Sequence, residues 1–343
     1  FDNSTRNWDY RYCWLRDTYF TLTAFNSVGH FEELEKYFHF IQNIVMHEKR
    51  FLQPLYTITG STEITERELP LDGYRGNTPV RIGNAAYLQK QYDVYGFVLA
   101  SLLPLFTDKR LDYESHIRKS HIVKHLLDCI DYVIDKPDAG IWEFRGREQH
   151  HCYTFLCHWV GCKTALKIAD VLNDQDLAAK ATSLIEKSAS LIEQCYNPQI
   201  GAYTQAIGST DLDASTLQLI LLQYLDPHSE KAASHLAALE KQLGFENGLF
   251  HRYIHKDDFG VPQTTFLACA FWYVEALACV GRLDDAINAF DNLLSFSNHL
   301  GLLSEHVDHH GGQWGNFPQT YSHVGLMNAA YQISRSLNKQ SYL

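Results

Sequence analysis

Thr265-Phe-Leu-Ala-Cys-Ala-Phe-Trp272 is apolar nearly all round a helix, and so is Val324-Gly-Leu-Met-Asn-Ala-Ala330. A helix of that composition has no side to show to water and belongs in an interior. The segment that starts at Phe31 is built differently. Glu32, Glu33, Glu35 and Lys36 interleave at helical spacing with Phe38, Phe40, Ile41 and Ile44, which gives one wet side and one dry side. Outward from these stretches, apolar residues keep the helical period along most of the chain. The pattern predicts helices over 17–28, 31–48, 82–106, 112–135, 150–173, 175–195, 213–224, 228–242, 264–279, 282–297 and 319–336. Strand-type alternation is scarce, so the chain reads as all-α.

The links sort these helices into pairs. After the first, third, fifth, seventh and ninth helix the link is short, which makes consecutive helices antiparallel neighbours. After the others it is long and rich in Gly, Pro and aromatics. Up-down alternation then gathers the long loops at one end, where residues 1–16 join them. The odd helices carry the all-round apolar stretches and the even ones are amphipathic. Inner helices begin near 17, 82, 150, 213, 264 and 319, a unit of roughly 50–70 residues. Six inner helices close a ring. The expectation is one (α/α)6 toroidal barrel, a single domain over 1–343 with its site at the long-loop end. An open α-solenoid is the competing arrangement, but it does not call for long aromatic loops gathered at one end.

Composition bounds the partners. The 343 residues are 45% hydrophobic and 20% charged, as in a globular protein. Lys and Arg number 29 against 40 Asp and Glu, a net charge of −11 that repels phosphate backbones, so nucleic acid is not an expected partner. The chain has no apolar run of about 18 residues, so no transmembrane helix is expected. It starts at Phe1 and not at Met, which suggests a fragment or a processed form with an upstream region. Cys13, Cys129, Cys152, Cys157, Cys162, Cys195, Cys269 and Cys279 make no C-x-x-C pair, and most sit in apolar helical patterns. They read as reduced core thiols of a cytoplasmic protein.

A local pattern repeats in the long loops: Gly140-Ile-Trp-Glu, Gly201-Ala-Tyr-Thr, Gly248-Leu-Phe-His and Gly301-Leu-Leu-Ser-Glu. Two of these carry a glutamate. Glu143 is flanked by Trp142 and Phe144, and apolar packing would raise its pKa as a general acid requires. Glu305 lies near Gln313, Asn316 and Gln319, a polar setting that keeps a general base ionised. Each glutamate taken alone also fits a salt-bridged loop carboxylate, with Arg145 or Arg147 as partner for Glu143. The run Asn7-Trp-Asp-Tyr-Arg-Tyr-Cys-Trp-Leu-Arg-Asp17 is the densest feature. Trp8, Tyr10 and Trp14 offer flat faces to a pyranose, and Arg16 and Asp17 offer a donor fork and an acceptor for paired hydroxyls. The same run fits a buried aromatic plug with an Arg–Asp bridge capping the first helix. His150-His151 and His309-His310 diverge as adjacent pairs and lack ligand spacing for zinc. Gly311-Gly312 lacks the context of a phosphate loop, and no Gly-x-Ser-x-Gly elbow is present.

Four stretches together resemble the catalytic module of glycoside hydrolase family 15, the glucoamylase family, in its bacterial branch. They are Trp8-Asp-Tyr-Arg-Tyr-Cys-Trp-Leu-Arg-Asp17, Gly73-Tyr-Arg-Gly-Asn-Thr-Pro-Val-Arg-Ile-Gly-Asn-Ala85, Gly140-Ile-Trp-Glu-Phe-Arg-Gly146, and Leu302-Leu-Ser-Glu-His-Val with Gly315-Asn-Phe-Pro-Gln-Thr-Tyr-Ser-His-Val-Gly-Leu326. They run in the family's order over nearly the whole chain. The resemblance implies an (α/α)6 barrel and an inverting, exo-acting hydrolase that releases β-glucose from non-reducing ends of α-glucans, without metal or organic cofactor. It places Glu143 on the general acid and Glu305 on the general base, with the carboxyls ~6.5–9.5 Å apart to admit a water. Arg16 and Asp17 fall on the pair that holds the terminal glucose, Tyr10, Trp14 and Trp142 on pocket aromatics, and Arg252 and Arg81 on further sugar-binding arginines. Trehalose and dextran-end hydrolysis are alternatives within the family, and sugar binding without turnover is an alternative outside catalysis. An N-terminal β-sandwich is expected before Phe1. Gln263-Thr264-Thr265, His306 and Phe144 depart from the family pattern and bear on specificity.

Overall fold

A computed structural model describes residues 3–47, 51–108 and 116–340. Helices predominate, and the strands are two or three residues long. The chain divides into two compact units, each taken from separate stretches of sequence.

The first unit comprises Arg11–Thr65 and Asn84–Gln194. It opens with β1 (Cys13–Trp14), paired antiparallel with β2 (Leu55–Tyr56). Its helices are α1 (Leu15–Ser27), α2 (Glu32–His47), α3 (Asp93–Leu102), α4 (Pro104–Thr107), α5 (His116–Val133), α6 (Cys152–Leu172) and α7 (Gln175–Glu193). Helices α1, α3 and α6 form a row in which α3 contacts both others, while α2, α5 and α7 pack against it. Helix α3 is buried almost all round, and α7 buries one stripe, Leu177, Ala181, Leu184, Ser188 and Ile192. The two-residue link between α6 and α7 follows from its residues. Asn173 takes the left-handed conformation (φ 55°) that ends α6, and Asp174 caps α7 by accepting from the Leu177 amide at 3.0 Å. Two glycines set the α3–α6 distance. A Cβ on Gly96 would overlap the Cys157 carbonyl oxygen, and one on Gly161 would stand 2.6 Å from the Gly96 Cα.

The second unit comprises Phe1–Tyr10, Glu66–Gly83 and Cys195–Leu343. It holds two hairpins, β3 (Arg67–Leu69) with β4 (Val80–Ile82) and β5 (Tyr196–Asn197) with β6 (Ala202–Tyr203). Its helices are α8 (Gln218–Leu221), α9 (Glu230–Leu243), α10 (Leu267–Cys279), α11 (Leu283–Leu294) and α12 (Thr320–Gln340). The strands β7 (Thr265–Phe266), β8 (His306–Val307) and β9 (Gln313–Trp314) form an antiparallel sheet with β8 in the centre. Helix α10 carries most of the all-round apolar stretch Thr265–Trp272. It lies against α8, α11 and α12 with ten buried residues, among them Phe271 and Trp272.

The expected helices are found with three differences. The helix expected over 82–106 begins only at Asp93. Asn84 instead caps a 3-10 turn at Ala85–Leu88 by accepting from the Ala86 amide at 3.0 Å, and Gln89 is extended. The helix expected over 213–224 is a 3-10 turn, Ala214–Leu217, followed by the single turn α8. Asp213 caps the first, accepting from the Ser215 amide at 2.8 Å, and Gln223 ends the second in the left-handed region (φ 59°). The start of the helix expected over 264–279 is strand β7, because Thr265 and Phe266 pair with β8. Residues 112–115 of the fourth expected helix lie outside the described residues. Cys157, Cys162 and Cys269 are fully buried thiols in α6 and α10. No helix among the described residues is long and apolar enough to cross a membrane.

Candidate functional site

Each unit builds a cage around one of the two glutamates. In the first unit, Asp138 ties three segments together. It accepts from the Tyr92 amide at 2.8 Å, the Gly140 amide at 3.2 Å and the Thr154 hydroxyl at 3.0 Å. The turn that follows brings the Glu143 amide to the Gly140 carbonyl at 3.1 Å and leaves Glu143 itself at φ 59°. A non-glycine residue held there indicates that its surroundings impose the conformation.

The Glu143 carboxylate is gripped by one oxygen. Oε1 accepts from the Trp14 indole at 2.8 Å and from the Gln91 amide at 3.1 Å, and the Arg16 Nη2 stands 3.5 Å from it. Arg16, 5% exposed, also donates to Gln91 Oε1 at 2.8 Å and to Asp93 Oδ2 at 3.3 Å. Burial opposes its charge, but Asp93, Asp17 and Glu143 hold it protonated. Asp17 Oδ2 lies 3.5 Å from Arg16 Nε, and both atoms are buried without a hydrogen-bond partner. Burial drives the Asp17 carboxyl up, Arg16 draws it back, Glu143 and Asp93 add to the rise, and the result is about 6.

This arrangement corrects the apolar setting expected for Glu143. Phe144 is buried and stacks on His151 at 6.0 Å, and Trp142 is half-buried in the turn. The carboxylate faces hydrogen-bond donors instead. Its arginine is Arg16, while Arg147 lies over the Phe144 ring at 3.9 Å.

In the second unit Glu305, 7% exposed, is held by both oxygens. Oε2 accepts from the Asn316 amide at 3.0 Å; Oε1 accepts from the Tyr10 hydroxyl at 3.3 Å and faces His306 Nε2 at 3.3 Å. Its backbone is fixed as well, the amide to the Asn316 carbonyl at 3.0 Å and the carbonyl to the Leu267 amide at 3.1 Å. Gly315 stands where no side chain fits. Its φ is 79°, and a Cβ there would sit 2.8 Å from Glu305 Oε2 and 2.9 Å from the His306 ring. Burial pushes the Glu305 carboxyl up, but His306, the Asn316 amide and Arg252 outweigh it and hold it below the usual glutamate range.

The N-terminal segment joins this unit through Asp257. That carboxylate takes both Nη atoms of Arg6, at 2.7 and 2.9 Å, the Tyr253 hydroxyl at 2.7 Å and the Phe259 amide at 2.8 Å, with Arg252 at 3.5 Å. Trp8 meets Phe259 edge-on and lies beneath Arg81 at 4.3 Å. Arg81 also donates to the Thr5 and Asn7 carbonyls. Trp8 and Arg81 therefore hold the segment from Thr5 to Trp8 in this unit.

Of the expected site residues, Trp14, Arg16, Asp17 and Glu143 come together in one unit and Tyr10, Arg252 and Glu305 in the other. Gln91 and Asp93 are absent from the sequence reading because they fall within the helix it predicts over 82–106. The polar run Gln89-Lys-Gln91-Tyr-Asp93 ahead of an apolar helix is the signal that could have found them. Among the described residues, no group of three or more His, Cys, Asp or Glu is placed to hold a metal.

The profile of "Glycosyl hydrolases family 15" matches residues 2–331. A trehalase of Thermoplasma acidophilum is 31% identical over 98% of this chain and 57% of its own length. A trehalase of Mycobacterium tuberculosis is 33% identical over 96% of this chain and 49% of its own. The chain thus spans about half the length of these curated relatives. Among solved structures, a bacterial glucoamylase complexed with acarbose aligns with a TM-score of 0.73 at 17% identity, over 96% of this chain and 51% of the other. A glycosidase variant in complex with glucose aligns at 0.71 and 18%, over 94% and 88%. These likenesses show the fold, the all-α (α/α)6 class that the alternating helices implied. The chain belongs to glycosyl hydrolase family 15.

Proposed function

We propose that this chain is the catalytic module of an inverting hydrolase of α,α-trehalose, with Glu143 as general acid and Glu305 as general base. The observation that carries the reading is the unequal grip on the two glutamates. Glu143 receives its donors on Oε1, which leaves Oε2 to carry a proton toward a leaving oxygen. Glu305 receives donors on both oxygens, which suits a carboxylate that stays ionised to take a proton from water. Arg16 Nε and Asp17 Oδ2, 3.5 Å apart and each without a hydrogen-bond partner, supply one donor and one acceptor for adjacent hydroxyls of a glucosyl ring.

The reaction balances on these groups. Glu143 gives its proton to the glycosidic oxygen as the C1–O bond breaks. Water adds to C1 from the opposite face and gives its proton to Glu305. The choice of trehalose over an α-1,4-glucan rests on the curated relatives, which are named trehalases, and replaces the glucan-end reading favoured by the sequence.

Proton NMR of early product decides it. Trehalose attacked with inversion yields one β-glucose from the attacked ring and one α-glucose from the ring that leaves, in equal amounts. Two α-glucoses would refute inversion. Turnover of maltotriose with none of trehalose would restore the glucan-end reading. Tight binding of glucose or trehalose without turnover would favour a sugar-binding role.

A further inference from the structure

We infer that His306 is a positioning residue for Glu305, carried as an imidazolium that holds the carboxylate ionised and in one orientation. The inference rests on the reading of Glu305 as general base and deepens it. His306 stands on the central strand, β8, with Phe266 of β7 opposite on one side and Trp314 of β9 on the other. Its Nδ1 lies 3.1 Å from the Thr265 carbonyl oxygen. A carbonyl only accepts, so Nδ1 carries hydrogen. Nε2 lies 3.3 Å from Glu305 Oε1, which as a carboxylate oxygen also only accepts. A neutral ring satisfies one of these contacts and turns a lone pair on the other. A doubly protonated ring satisfies both.

Other groups also face this pair. The Tyr10 hydroxyl, from the N-terminal segment, shares Oε1. The Asn316 amide holds Oε2. Arg252, from the loop before β7, adds positive charge toward Glu305 but is itself paired with Asp257. Asp308, farther along the hairpin, is engaged by the Trp314 indole at 2.6 Å and by the Gly312 amide at 2.9 Å. Among the described residues, the His306 ring meets a Glu305 oxygen directly, at 3.3 Å. The Phe266 ring, 5.0 Å away, shields one side of it, and its side chain is 17% exposed.

The test uses the chain as it stands. Nitrogen-15 shifts of the His306 ring, assigned with His306→Gln, are expected to show hydrogen on both nitrogens while Glu305 is ionised and to revert toward one in Glu305→Gln. A single protonated nitrogen in the parent protein overturns the inference. In His306→Gln the carbon-13 titration of the Glu305 carboxyl is expected to rise by about one pH unit. An unmoved titration in a folded variant also overturns it. On α-glucosyl fluoride, whose leaving group needs little acid, the acid limb of kcat is expected to move up with the carboxyl while KM holds. A lowered kcat with the parent pH profile would mark His306 as merely structural. The two NMR arms judge His306 without turnover, so a protein that cleaved no α-glucoside would refute the hydrolase reading separately.

Discussion

Glu143→Gln and Glu305→Gln separate the two roles at the level of single side chains. Each is expected to lower kcat by about 10²–10⁴-fold, with the thermal midpoint within a few degrees of the parent. Loss of the acid is expected to spare α-glucosyl fluoride relative to trehalose, whereas loss of the base is expected to affect both. Asp17 gives a pH signature. Its carboxyl is pushed up to about 6 by burial, so below that pH it loses the charge with which, in the proposed reading, it accepts a sugar hydroxyl. KM for trehalose is expected to rise as pH falls through about 6, and Asp17→Asn is expected to show a high, flat KM. The same shift acts on stability with the opposite sense. The folded state binds that proton more tightly than the unfolded chain, so ionising Asp17 costs stability as pH rises from the ordinary aspartate range through about 6.

The crossing of α3 and α6 is the element on which the first unit depends. Its two glycines let backbone meet backbone, and the Asp93 that opens α3 pairs with Arg16 from α1. Gly96→Ala drives a methyl group into the Cys157 carbonyl, which a rigid helix cannot yield. A loss of about 1–3 kcal/mol is expected in urea unfolding, together with a fall in trehalose turnover as Asp93 and Gln91 shift. The helices were legible because each needed only a periodic apolar pattern. The strands were not, since two residues such as Thr265 and Phe266 hold no alternation to read. The segment 82–92 looked helical because Ala85, Ala86 and Leu88 suit a helix, yet the Asn84 cap closes after one 3-10 turn.

At the scale of the whole chain, side chains that gather near Glu143 were legible where they stand close together in sequence, as Trp14, Arg16 and Asp17 do, whereas Trp8 of the same run packs on Phe259. The candidate site was illegible where contacts cross long sequence distances. The expected apolar setting of Glu143 came from its neighbours in the chain, whereas its partners in space, Trp14 and Gln91, lie 129 and 52 residues away. The net charge of −11 bears on the ligand as well. A neutral disaccharide feels no steering from it, so kcat/KM on trehalose is expected to vary by less than about twofold between roughly 0.05 and 0.5 M salt. A steep dependence measured by initial rates would point to a charged substrate.

Gly315 carries a genetic consequence. Any larger residue at that position would crowd the carboxylate of Glu305 and the ring of His306, in a backbone conformation that strains a side chain. If Glu305 is the general base proposed above, an allele altered at 315 is expected to lose activity, and a screen for null mutants would group it with lesions at 305. A codon that encodes no side chain would score among the reactive ones.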